Sequence, residues 1–150
     1  MNQDRIAKLH PSLQPKAIKL IELAEAQGLA ILVTQGLRTV AEQDALYAQG
    51  RTKPGNIVTW AKGGYSWHNF GLAFDIVILN AVGKADWDTK NPGWAVAGAI
   101  GKSLGLNWGG DWQPKKRDIP HFELPVNLTL AQCRQLDAKG GTAAVWAAIV

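Results

Sequence analysis

Apolar residues recur at helical spacing at Leu13, Ala17, Leu20, Ile21 and Ala24, which predicts a helix over 13–27 with Ser12 as its cap and Gly28 as its stop. The apolar, β-branched run 29–33 reads as a buried strand. Thr39 and Glu42 have the spacing of a capping box and open a helix over 40–49, which Gly50 ends. Residues 51–66 are polar, glycine-rich and partly extended, and 72–79 is the strongest strand in the chain. Asn91-Pro92 predicts a helix start with proline at its first position, and Trp94, Ala97, Ile100 and Leu104 form its stripe up to Gly105. A short strand follows at 122–124, then a helix from Thr129 that fades at Gly140-Gly141, and a last helical piece over 142–149. Helices and strands alternate without a regular βαβ repeat, so the pattern predicts an α+β fold.

The 150 residues suffice for one domain with a real core, and no repeat, low-complexity tract or interdomain linker interrupts them. No apolar run approaches the ~18 residues that span a membrane, and no signal-peptide core follows Met1-Asn2-Gln3-Asp4-Arg5, so a cytosolic site of synthesis is expected. The nearly all-apolar segment 142–150 lacks the basic face of a membrane-surface helix, so Trp146 is expected to pack on the domain. One cysteine, Cys133, excludes an internal disulfide and a cysteine-rich zinc site. The net charge of +4 suits an anionic partner such as a wall polymer. Its basic residues are scattered apart from Lys115-Lys116-Arg117, and no nucleic-acid module is present.

Chemistry concentrates in two segments. Ser66-Trp67-His68-Asn69-Phe70-Gly71-Leu72-Ala73-Phe74-Asp75 carries a histidine and an aspartate, and Asp118-Ile119-Pro120-His121 carries a second histidine. His68, Asp75 and His121 are the number and type of ligands that a catalytic zinc takes, with the fourth position left for water. The same set could hold iron. Asp75 lies in an apolar run, where a carboxylate needs a partner or a cation. Seven residues separate it from His68, which on a continuous strand would put the two side chains on opposite faces. The chain must therefore bend at 69–71, with Gly71 supplying the turn, so His68 is expected on a loop and Asp75 on the following strand. Pro120 argues against a helical turn over 118–121. His10 matches no motif and is expected on an exposed loop.

The order Ser-x-His-(x)6-Asp, then Asp-x-x-His, resembles the zinc peptidases that cut peptidoglycan stem peptides. These include D-Ala-D-Ala dipeptidases, D,D-carboxypeptidases and L-alanyl-D-glutamate endopeptidases. Gln35-Gly36-Leu37-Arg38-Thr39, Glu42-Gln43, Leu46 through Thr52, Ile57-Val58-Thr59, Ala61-Lys62-Gly63-Gly64, Trp108-Gly109-Gly110-Asp111-Trp112 and Pro120 through Leu124 extend the likeness over roughly residues 30–125. It is strongest to the L-alanyl-D-glutamate endopeptidases of phage endolysins.

That resemblance implies a small central antiparallel sheet with surrounding helices, of the hedgehog/D,D-peptidase type, and one Zn2+ held by His68, Asp75 and His121. It places Asp118 as the proton shuttle and Arg38 on the substrate carbonyl, where a fixed guanidinium stabilises a developing oxyanion. Glu123 competes for the shuttle role and is placed behind the ligands, orienting one of them. Ser66, Gln43, Asp111 and Trp112 are candidates for substrate contact. Trp67 and Trp108 flank the motifs, while Trp94 and Trp146 lie on helical stripes and read as core. The expected partner is peptidoglycan, met by a monomer without stable membrane insertion, released from the host cytoplasm through a holin-type pore. Two other readings stay open: a D,D-carboxypeptidase or dipeptidase on the same scaffold, and a non-catalytic wall-binding module with a structural zinc.

Overall fold

The structure, a computed structural model, describes residues 2–150. A short helix α1 (Asn2–Ala7) leads into α2 (Gln14–Ala26), then β1 (Ile31–Gln35) and α3 (Val40–Ala48). A 3-10 helix, Trp67–Phe70, precedes β2 (Ala73–Leu79) and the two-residue β3 (Ala85–Asp86). Next come α4 (Gly93–Ser103), β4 (Asn107–Trp108), a 3-10 turn Gly109–Asp111, β5 (His121–Glu123) and α5 (Leu130–Ala147). The strands form one antiparallel sheet in the order β1-β2-β5-β4, with β3 beside β2. This is the expected α+β architecture with a small antiparallel sheet.

The core is one cluster. Leu13 just before α2, Ala17, Leu20 and Ala24 of α2, Trp94, Ala97 and Ile100 of α4, and Val33, Phe74, Ile76 and Phe122 of the sheet all belong to it. Phe74 and Phe122 stack across β2 and β5 with ring centroids 5.6 Å apart. The α5 segment is two helices joined at Gly140 and Gly141, which leave helical geometry as the glycine pair predicts. Cys133 and Val145 are its fully buried residues. Trp146 is half-buried and its indole donates to the Phe70 carbonyl at 2.7 Å, so the C-terminal piece is fastened to the 3-10 helix.

Three local expectations are corrected. Ser12 does not cap α2: that helix starts after Leu13 with no side-chain cap. Instead the Ser12 amide donates to His10 Nδ1 at 3.0 Å. His10 itself is buried, not exposed; its amide donates to Gly71 O at 2.8 Å and its ring meets Trp146 edge-on. Desolvation there lowers its pKa. His68 lies on the 3-10 helix Trp67–Phe70 and not on an irregular loop, because Ser66 and Asn69 cap that turn.

Candidate active site

Ser66 opens the 3-10 helix: its hydroxyl accepts from His68 N while the Asn69 side chain accepts from Ser66 N. Gly71 then closes the helix in the left-handed region, with φ +69, and turns the chain into β2. This bend brings His68 and Asp75 to one side. Antiparallel pairing does the rest, because Asp75 stands opposite His121 on β5 and opposite Gln35 on β1. One ligand-capable atom from each of His68, Asp75 and His121 lies within 4.8 Å of the others.

Hydrogen bonds behind the histidines fix which nitrogen faces inward. His68 Nδ1 lies 2.9 Å from Gly36 O, which only accepts, so Nδ1 carries the proton. His121 Nε2 lies 2.9 Å from Glu123 Oε1 and donates to that carboxylate. In their neutral forms both rings then aim a lone pair at one atom, Asp75 Oδ1, which is 3.2 Å from His68 Nε2 and 3.2 Å from His121 Nδ1. Two lone pairs and a carboxylate oxygen repel one another unless a cation lies between them. A tetrahedral ion bound at ~2.0–2.1 Å separates its ligand atoms by about 3.3 Å, close to these spacings. The residues therefore fit a metal with two nitrogen donors and one oxygen donor.

Burial alone would raise the Asp75 carboxyl, but the charge of His68 and hydrogen bonds from both histidines hold it far below the usual carboxylate range. Burial would lower His121, yet its bonds to Asp75 and Glu123 push it up to about 9.

Arg38, in the loop between β1 and α3, takes the other carboxylate oxygen. Its Nη2 donates to Asp75 Oδ2 at 3.1 Å, its Nη1 to Gln43 Oε1 at 3.1 Å and its Nε to Gln35 Oε1 at 3.2 Å. Oδ1 is thereby left facing the two histidine nitrogens. Gln43, expected to touch substrate, is fully buried and cannot. Its oxygen holds Arg38 and its amide donates to Ala61 O at 2.7 Å, so it ties the arginine to the 51–66 loop. Asp118 Oδ2 lies 3.9 Å from His121 Nδ1. Desolvation in the groove, and then the Asp75 charge, raise its pKa. Gly109 sets its position: Asp118 N donates to Gly109 O at 3.0 Å, and a Cβ at Gly109 would collide with the Asp118 carbonyl.

His68, Asp75, Asp118 and His121 line a groove of about 1250 Å3. Arg38, Ser66, Trp67, Asp111, Trp112 and Glu123 also reach its wall, whereas Trp108 is tied by its indole to Ile119 O at 2.7 Å. The Trp112 ring centroid lies 5.1 Å from that of His121. Asp111 is half-exposed and paired with Lys102 at 2.9 Å. Sequence reasoning missed the Gly36 carbonyl, which has no side-chain signal, and Gln35, whose role follows from its place opposite Asp75.

Residues 59–124 match the Peptidase_M15_4 family model, described as D-alanyl-D-alanine carboxypeptidase. The chain is 43% identical over 126 residues to the peptidoglycan L-alanyl-D-glutamate endopeptidase CwlK of Bacillus subtilis, covering 79% of this chain and 75% of that protein. The chain belongs to the M15 peptidases. An L-alanyl-D-glutamate peptidase of Listeria phage A118 is 31% identical to this M15 peptidase over 120 residues, covering 79% of the chain and 38% of the phage protein. In fold it is similar to the vancomycin-resistance D,D-pentapeptidase VanY solved with Zn(II), with a TM-score of 0.58, 18% identity and coverage of 93% and 83% of the two chains.

Proposed function

We propose that this M15 peptidase is a zinc endopeptidase that hydrolyses the L-Ala–D-Glu bond of peptidoglycan stem peptides. The observation that carries the reading is the convergence of one ring nitrogen each of His68 and His121 on Asp75 Oδ1, with the Asp118 carboxylate 3.9 Å from His121 Nδ1. His68, Asp75 and His121 hold the ion, and the likeness to CwlK supports this bond over a terminal D-Ala. Zinc, when bound there, lowers the pKa of a coordinated water toward ~7 and polarises the carbonyl.

The chain's own residues do the remainder. Asp118 takes the proton from the attacking water and delivers it to the leaving amine; its raised pKa suits a carboxylate that must hold a proton in passing. Glu123 fixes the His121 tautomer, and Gly36 fixes that of His68. Arg38 uses three of its five N–H donors on Asp75, Gln43 and Gln35, which leaves donors for the substrate carbonyl. Ser66, Asp111 and Trp112 flank the peptide in the groove.

Residues 1–150 are read as one peptidase unit, supported by the single connected core, and as acting in monomeric form. Among the described residues no helix is long and apolar enough to cross a membrane. Delivery to the wall through a lysis pore, as for an endolysin, is supported by the phage relative. Digestion of purified peptidoglycan tests the bond. Mass analysis should find peptides beginning with D-Glu and L-Ala left on the glycan. Free terminal D-Ala would replace this reading with a carboxypeptidase, and new reducing ends with a glycosidase.

A further inference from the structure

The 51–66 loop forms part of the groove wall, and Ile57, Val58 and Trp60 on it turn large apolar side chains to solvent. Ile57 is 44% exposed, Val58 56% and Trp60 67%. Adjacent exposed apolar residues at the edge of a binding groove mark a contact surface. The loop is also built to hold them out. Arg51 donates to Tyr47 O at 2.6 Å and to Thr59 O at 3.1 Å, and its guanidinium sits 3.8 Å above the Tyr47 ring and 5.8 Å from the Trp60 ring. Gln49 donates to Asn56 O at 3.0 Å and Gln43 to Ala61 O at 2.7 Å. Trp60 is thus kept on a fastened ledge beside a cation instead of collapsing onto the core.

The chemistry of the substrate names the occupant. In a stem peptide the L-Ala nitrogen is acylated by the lactyl group of muramic acid. Only one residue lies between the scissile carbonyl and that group. An extended residue spans ~3.3–3.6 Å, so the sugar follows within roughly two residue lengths of the reacting centre. A 1250 Å3 groove is larger than the ~300–1,000 Å3 of an ordinary small-molecule site and has room for sugar as well as peptide. A pyranose ring offers an apolar C–H face rimmed by hydroxyl and acetamido groups. That shape fits an exposed indole flanked by an aliphatic residue and a guanidinium. Trp112, with its ring 5.1 Å from His121, stands at the reacting centre itself and is left to the peptide.

We propose that Trp60, with Val58 and Arg51 beside it, is a glycan subsite that seats the N-acetylhexosamine ring bearing the stem peptide. This rests on the L-Ala–D-Glu assignment above. The test compares two soluble substrates with the same scissile bond, a disaccharide-peptide and its glycan-free N-acetyl peptide. Trp60→Ala should lower the ratio of their kcat/KM values about five- to tenfold, mainly through KM for the disaccharide-peptide, with Trp60→Phe recovering part of it. An unchanged ratio in Trp60→Ala overturns the subsite while leaving the bond assignment intact. A wild-type enzyme that cuts neither substrate at this bond overturns the assignment and the subsite with it.

Discussion

Asp118 is the residue on which the distinction between metal binding and catalysis turns. It touches the metal triad only at 3.9 Å and its pKa is raised by desolvation and by Asp75. Asp118→Asn should keep zinc and lose about 100- to 10,000-fold in turnover, the usual contribution of a general acid-base group. The same variant carries a stability signature. A carboxylate whose folded pKa lies above its unfolded value contributes most below the unfolded value and loses that contribution as pH rises. Ionised Asp118 therefore opposes folding of the metal-free protein at pH 7. Metal-free Asp118→Asn should melt higher than the metal-free wild type at pH 7, with the difference closing as pH falls below about 4. A lower melting temperature at neutral pH would mean that the charge is stabilised, contrary to the upward shift of its pKa. At this scale His68, Asp75 and His121 were legible as a set because few other residue types serve a metal, while Asp118 was reached only through the resemblance. The burial of Gln43 and His10 was not, since it depends on Ala61, Gly71 and Trp146, which local pattern does not connect to them.

At the scale of elements, β2, α3 and α4 carried clear signals: an apolar run, a capping box, and a stripe followed by glycine. Helix α1 spans only six residues, and β3 and β4 two each, too short for any periodicity to show. The bend at Gly71 was readable because a seven-residue separation on a straight strand could not bring His68 and Asp75 together. The junction at Gly109 was not, because it depends on a segment nine residues away in sequence meeting its backbone at 3.0 Å. That junction yields a test. Gly109→Ala should displace the Asp118 backbone and reduce kcat by at least tenfold while zinc content stays at the wild-type level, since no ligand lies on the Gly109–Asp111 turn. Wild-type kcat would show that the close approach does not position Asp118.

Over the whole molecule, the sheet gathers ligands from segments far apart in sequence, and the helices seal its other side into one core. The C-terminal piece is part of that seal. Val145 is fully buried, the Trp146 indole holds Phe70 O, and Phe70 ends the helix that carries His68. Deleting residues 142–150 should lower the melting temperature and the hydrolysis of isolated wall together. A truncated protein with unchanged melting temperature and wall activity would free this segment for another role. The central claim is that one ion held by His68, Asp75 and His121 drives hydrolysis. Titrating zinc into the chelator-stripped enzyme while following cleavage of an L-Ala–D-Glu peptide tests it most directly. Activity should start near zero, rise linearly and reach its plateau at about one zinc per chain, with His68→Ala showing no such rise. Full hydrolysis by the stripped enzyme, or an undiminished plateau in His68→Ala, would contradict it.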